Sequence, residues 1–245
     1  MKHIVIAGAT SAISQAVSKQ LISDDVCFHL VGRDMDKLEI VSNDLISRGC
    51  GKALCYSLDF NDFTEHQSLI EKIKIEADKI DILFVCYGIM HSQDECEENV
   101  NKALEQVTSN YTSAVSLLVL FTQVMYSQGE GTIAVVSSVA GDRGRKSNFI
   151  YGSAKGGLST FLEGLRYKLY DAGINVLTVK PGFVDSPMTT DMKKGLLWAS
   201  PELVAKYIVK AIKLRKSVIY TPHFWFFIMT IIKIIPVFIF RKLNI

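Results

Sequence analysis

Short, nearly continuous apolar runs alternate along this chain with longer stretches in which apolar residues return every three or four positions. Residues 3–7, 26–31, 53–58, 82–86, 132–136 and 175–179 are compact apolar runs, as strands covered on both faces should be. Between them, residues 12–22, 34–47, 63–77, 100–125 and 151–170 carry helical periodicity, and several of these segments open on an Asp, Ser or Asn able to cap. Strand and helix in alternation predict an α/β fold with a right-handed, doubly wound parallel sheet and helices on both faces. Such sheets bind ligands beyond the carboxyl ends of their strands, where the strand order reverses. Residues 1–220 form the expected catalytic domain, and 221–245 a hydrophobic C-terminal helical tail.

That tail changes the picture most. The 17 residues from Phe224 to Phe240 are strongly apolar, but they fall short of the roughly 20 that cross a bilayer as a helix, and Lys233 and Pro236 interrupt them. Trp225 and several phenylalanines, with Lys233, Arg241 and Lys242 nearby, suit a segment lying in a membrane interface and broken at Pro236, a peripheral contact through residues 222–242. The same residues could instead cover the substrate pocket or pack against another subunit, and a greasy entrance to the site would satisfy both readings.

Composition narrows the class. With 245 residues, 49% hydrophobic and 21% charged, the chain suits one globular domain. Its net charge of +2, with no basic tract interleaved with aromatics in the first 200 residues, argues against a nucleic-acid partner. Five cysteines without paired spacing, and an N-terminus running directly into a strand, imply a reduced, cytoplasmic setting. Cys27 and Cys86 lie in apolar runs and are expected to be small buried hydrophobes, with no metal site.

The candidate chemistry centres on Tyr151 and Lys155, four residues apart, with Ser138 thirteen residues upstream. On a helix the pair shares a face, so the ammonium should favour the phenolate and lower a pKa that starts near 10. Ser138 would hold a carbonyl oxygen beside the phenol. Upstream, Ala7-Gly8-Ala9-Thr10-Ser11-Ala12-Ile13-Ser14 is a weakened glycine-rich turn that keeps Gly8 and places Thr10 and Ser11 at a helix N-terminus suited to phosphate. After the second strand, Arg33 offers a guanidinium for a 2′-phosphate, which favours NADP(H) over NAD(H), while Asp34 caps the next helix. Asp59 and the adjoining Phe60 would border the adenine, and Gly88 the cofactor further along.

Together these residues resemble the short-chain dehydrogenase/reductase family over roughly residues 2–215. The family's active-site Asn, Ser, Tyr and Lys are matched by Asn110, Ser138, Tyr151 and Lys155, and Gly131-Thr132-Ile133-Ala134-Val135-Val136-Ser137-Ser138 resembles the strand that delivers the serine. Pro181-Gly182-Phe183-Val184-Asp185-Ser186-Pro187-Met188-Thr189 resembles the segment whose Val184 backbone and Ser186 hydroxyl would hold the nicotinamide carboxamide. The resemblance implies a Rossmann-type domain in a homo-oligomer, with the helices from Val100 and Tyr151 as dimer faces. It also implies carbonyl reduction, in which Tyr151 gives a proton, Ser138 orients the oxygen, Lys155 binds the nicotinamide ribose, and Asn110 holds a water linking Lys155 to solvent.

Three departures stand out: Ala12 and Ser14 replace glycines, Cys86-Tyr87-Gly88 replaces Asn-Ala-Gly, and the Asp-Gly-Gly after the seventh strand is missing. The Gly-Ala-Thr-Ser-Ala-Ile loop and the aromatic tail look most like bacterial reductases of a keto-sugar carried on a polyprenyl phosphate, at the inner face of the membrane. The alternatives are a reductase of free small or fatty-acyl carbonyl compounds, and a non-catalytic dinucleotide sensor. Segments 89–99, 140–149 and 186–197 are expected to build the substrate wall.

Overall fold

The structure, a computed structural model, describes residues 1–190 and 193–243. The parts of the expected tail and substrate wall at 191–192 and 244–245 lie outside the described residues. The chain begins β1 (Lys2–Ala7), α1 (Ala12–Gln20), β2 (Val26–Gly32), α2 (Met35–Ser47), β3 (Lys52–Ser57), α3 (Glu65–Glu76) and β4 (Ile82–Val85). It continues through α4 (Gln93–Glu98), α5 (Val100–Val107), α6 (Ser113–Gln128), β5 (Gly131–Val136), α7 (Phe149–Leu169) and β6 (Ile174–Pro181). The last elements are β7 (Phe183–Val184), β8 (Trp198–Ala199), α8 (Pro201–Lys213), β9 (Val218–Thr221), α9 (Phe224–Ile234) and α10 (Val237–Phe240).

Seven strands form one parallel sheet in the order β3-β2-β1-β4-β5-β6-β9. Because successive residues of a strand point to opposite faces, Ile4 and Ile6 enter one core while Val5 and Ala7 enter the other. The first core packs β-strand residues Phe28 and Leu30 against Val17, Leu38 and Ile208 of α1, α2 and α8. The second packs Leu83 and Ile133 against Leu117, Phe121 and Leu158 of α6 and α7. Each such fully buried large side chain contributes about 1.5–3 kcal/mol by leaving water. Capping fixes the helix starts: Ser11 accepts from the Ser14 amide at 3.1 Å, and Asp34 from that of Lys37 at 3.1 Å, as expected of it. Strand order reverses between β1 and β4, which opens a crevice at the carboxyl edge of the sheet.

All six expected strands form, and four of the five expected helices form as single elements. The helix expected over 100–125 is instead interrupted by a π-turn at Thr108–Thr112. Its cause is local: the Asn110 amide donates to the Gln106 carbonyl one turn back at 2.8 Å, and the Ser113 backbone amide reaches five residues back to Thr108. Helices α4 and α8 and strand β9 were not anticipated. At the opposite end of the sheet from the crevice, Cys27 is buried as expected, but it lies beside a hydrogen-bonded chain in which the rings of His3 and His29 meet at 3.0 Å and that of His29 meets the Tyr56 hydroxyl at 3.1 Å.

The tail does break at Pro236. Its helix α9 is two-sided: Trp225, Met229 and Ile232 are buried against Val139, Phe183 and Tyr220, while Phe227, Ile231 and Ile234 are exposed. Among the described residues no helix is long and apolar enough to cross a membrane.

Candidate active site

One cleft of about 420 Å³ runs along the carboxyl edge of the sheet, and every candidate residue taken from the sequence lines it. At its first end the β1–α1 turn depends on Gly8, whose φ of +85° suits glycine and whose added Cβ would lie 2.5 Å from the Cys86 carbonyl oxygen. With the Ser14 amide capped by Ser11, the amides of Ala12 and Ile13 have no partner within α1, and both residues, with Thr10 and Ser11, border the cleft. That is a cradle for a phosphate group. Arg33 stands exposed at the end of β2. Neighbouring Asp34 is taken by Lys37 at 3.0 Å, and among the described residues no carboxylate pairs with Arg33.

Past β3, exposed Asp59 and buried Phe60 form the adjoining wall. The Phe60 ring stacks on that of Tyr87, with centroids 3.9 Å apart and planes within 5°. Tyr87, noted in the sequence only as a departure from the family pattern, is therefore a wall of the site, and its hydroxyl accepts from Ser113 at 3.2 Å. Gly88 completes this strand end. Both the Asn110 side-chain oxygen and the Lys155 ammonium border it.

Ser138 follows β5, and α7 carries Tyr151 and Lys155 on one face, with the Lys155 Nζ 5.9 Å from the centre of the phenol ring. Lys155 is buried and donates to the Val136 carbonyl at 3.3 Å. Asn110 is held through its Nδ2, which donates to Ile89 O at 2.7 Å, while its buried Oδ1 has no partner among the described residues. The π-turn therefore turns an acceptor toward the cleft and leaves it ready for a donor.

The electrostatics reverse one expectation. Tyr151 is not acidified: burial pushes its phenol up to about 12, against a smaller opposing effect of the Ser138 hydroxyl. Lys155 is itself brought down to about 8 by burial. Removal of solvent outweighs the Ser138 hydrogen bond, so the phenol is held as a proton donor at neutral pH. A pH dependence follows. Above about 8 Lys155 loses its charge while Tyr151 keeps its proton, so kcat/KM for a reduction at this site should fall on the alkaline side with a midpoint near 8. A rate profile flat to pH 10 would show that Lys155 holds its proton by other means.

On the far side of the quartet, Pro181, Gly182, Val184 and Ser186 line the cleft from β6, β7 and the turn beyond. The Val184 carbonyl already accepts from the Thr189 hydroxyl at 2.6 Å, a partner not foreseen from the sequence. Gly182 must lack a side chain, because a Cβ would overlap the Trp225 indole of the tail. Arg145 and Asn148 line the same end; they fall in the segment 140–149 expected to build the substrate wall, though neither was singled out within it. The residues present thus fit an extended dinucleotide: paired amides for phosphates at α1, a free guanidinium at β2, and an open acceptor beside Lys155.

Comparisons with known proteins bear on the family and the fold. The family described as short chain dehydrogenase matches residues 2–196. An uncharacterized oxidoreductase of Mycobacterium tuberculosis is 30% identical over 240 residues, 98% of this chain and 96% of that protein. Among solved structures, the fold is similar to a short-chain dehydrogenase/reductase of Burkholderia phymatum in complex with NAD, with a TM-score of 0.82, 19% identity and coverage of 94% of this chain and 92% of that one. It is also similar to an alcohol dehydrogenase of the archaeon Thermococcus sibiricus complexed with 5-hydroxy-NADP, with a TM-score of 0.80, 19% identity and coverage of 92% and 97%. The chain belongs to the short-chain dehydrogenase/reductase family and is an NAD(P)-dependent oxidoreductase.

Proposed function

We propose that the protein reduces a carbonyl compound to the alcohol with NADPH, Tyr151 supplying the proton. The observation that carries this reading is the convergence on one cleft of a phenol held protonated, the Ser138 hydroxyl and the Lys155 ammonium. The bound cofactor supplies the hydride to the carbonyl carbon. Ser138 holds the carbonyl oxygen, Tyr151 protonates it, Lys155 binds the nicotinamide ribose, and Asn110 holds through its Oδ1 a water that links Lys155 to solvent. Gly8, Thr10, Ser11, Ala12 and Ile13 bind the diphosphate, Asp59 and Phe60 the adenosine side, Gly88 the cofactor further along beside Lys155, and Pro181, Gly182, Val184 and Ser186 the carboxamide. The free Arg33 guanidinium favours a 2′-phosphate, hence NADP(H) over NAD(H).

In this reading residues 1–220 are the catalytic domain, and the substrate is a keto-sugar linked to a lipid. The apolar outer side of α9 and α10, flanked by Lys233, Arg241 and Lys242, supports a peripheral contact with the inner face of the membrane. Association of subunits is supported by α6 and α7, where Val119, Tyr126 and Tyr167 are exposed.

Purified protein mixed with NADPH and a panel of carbonyl compounds should consume the cofactor's absorbance, faster than with NADH, and Arg33→Ser should reduce that preference by about tenfold or more. The protein should pellet in part with anionic vesicles and stop doing so when residues 222–245 are removed. No turnover of any carbonyl compound would defeat the enzymatic reading. Unchanged activity in a non-pelleting protein would favour a free small or fatty-acyl carbonyl substrate.

A further inference from the structure

We infer that Arg145 recognises an anionic group, a carboxylate or a phosphate, on the carbonyl compound reduced in this cleft. The inference rests on the proposed reductase function and names the substrate class that it takes.

Arg145 lies seven residues after Ser138 and six before Tyr151, on the loop that leads into α7, and it lines the same cleft. It is half-buried. Its Nε is buried without an acceptor, and one terminal nitrogen donates to the thioether sulfur of Met229 at 3.3 Å, a weak acceptor. Among the described residues no carboxylate pairs with it. The nearest acid in sequence, Asp142, is already engaged by Lys180 at 2.5 Å and by the Tyr220 hydroxyl at 2.6 Å. The other arginine of the loop, Arg143, is committed to the tail, where it donates to the Ile232 and Lys233 carbonyls.

A guanidinium partly withdrawn from water without a paired carboxylate is costly, and burial accordingly weakens its hold on its proton, against a smaller opposing effect of the Asp142 charge. An arriving anion offsets that cost and meets a planar fork suited to two oxygens. Close by, the Asn148 side-chain oxygen is also buried without a donor, so a hydroxyl on the same ligand would find an acceptor. Val139, Phe183 and Met188 add apolar wall to the same cleft. The pattern fits a ligand with one anionic end and a carbonyl that reaches Ser138 and Tyr151.

The test uses matched pairs: acetoacetate against its ethyl ester, and dihydroxyacetone phosphate against dihydroxyacetone. The full-length protein with NADPH should prefer the charged member of at least one pair by about tenfold or more in kcat/KM. Arg145→Gln should collapse that ratio toward unity, chiefly through KM for the charged member, and Arg145→Lys should restore part of it. Met229→Leu should keep the ratio, which a role of Arg145 confined to bracing the tail would not predict. Which pair shows the preference separates carboxylate from phosphate. If none of these four compounds turns over, calorimetric titration with acetoacetate and with inorganic phosphate decides the matter apart from the reductase reading: binding should weaken about tenfold in Arg145→Gln. A preference for neutral members, a ratio unchanged in Arg145→Gln, or equal anion binding by both proteins would overturn the proposal.

Discussion

Replacing Tyr151 with phenylalanine is expected to cut carbonyl reduction about a thousandfold while the protein still binds NADPH. The substitution removes one oxygen from a half-buried ring and leaves α7 otherwise intact. What is lost is the group whose proton the surroundings retain: burial holds the phenol at about 12, so it can release that proton only to an oxygen that gains negative charge as the hydride arrives. Stopped-flow absorbance for turnover, with quenching of protein fluorescence for cofactor binding, separates the two effects. A variant that retained a tenth of the wild-type rate would mean that a water or Ser138 delivers the proton.

The second large effect concerns stability. Trp225→Ala should cost about 3–5 kcal/mol, read as a lower urea midpoint at unchanged slope. The indole is 3% exposed, lies edge-on to Phe183 with centroids 5.5 Å apart, and fills the space that Gly182 leaves. Its N–H is buried without an acceptor, so Trp225→Phe should be far milder, losing volume but also an unsatisfied donor. Equal midpoints for wild type and Trp225→Ala would show that α9 is not anchored where it lies.

Much of this molecule was legible in the sequence because parallel strands covered on both faces leave an unmistakable trace. Phe28 and Phe84 sit in runs with no alternation, and both are fully buried. The Tyr151 and Lys155 pair was legible by spacing, since one helical turn brings them to one face, whereas Asn110 was reached only through the family resemblance. Spacing says nothing about how much water the folded chain excludes, and that quantity decides the direction in which the phenol shifts. The π-turn was hidden for a similar reason: it depends on Asn110 finding carbonyls at Ile89 and Gln106, the first of them distant in sequence. Arg145 belongs to Arg143-Gly144-Arg145-Lys146, a run whose composition suggests a solvated loop, but the folded chain half-buries it, with Met229 of the tail in contact. Helix α8 left a readable signal, Ser200-Pro201 ahead of Val204, Ile208 and Ile212, which the neighbouring aromatic tail overshadowed.

Arg143 gives the C-terminal segment a further significance. Its guanidinium lies 3.8 Å over the Phe240 ring and also donates to the last carbonyls of α9. A molecule clipped by a protease just after Thr221 would keep Asn110, Ser138, Tyr151 and Lys155 intact. It would nevertheless set loose a cation five residues from the serine and strip Arg145 of its sulfur contact. The shortened form would be a different catalyst, with an extra mobile charge at the mouth, and preparations containing both forms would show two populations of active centre.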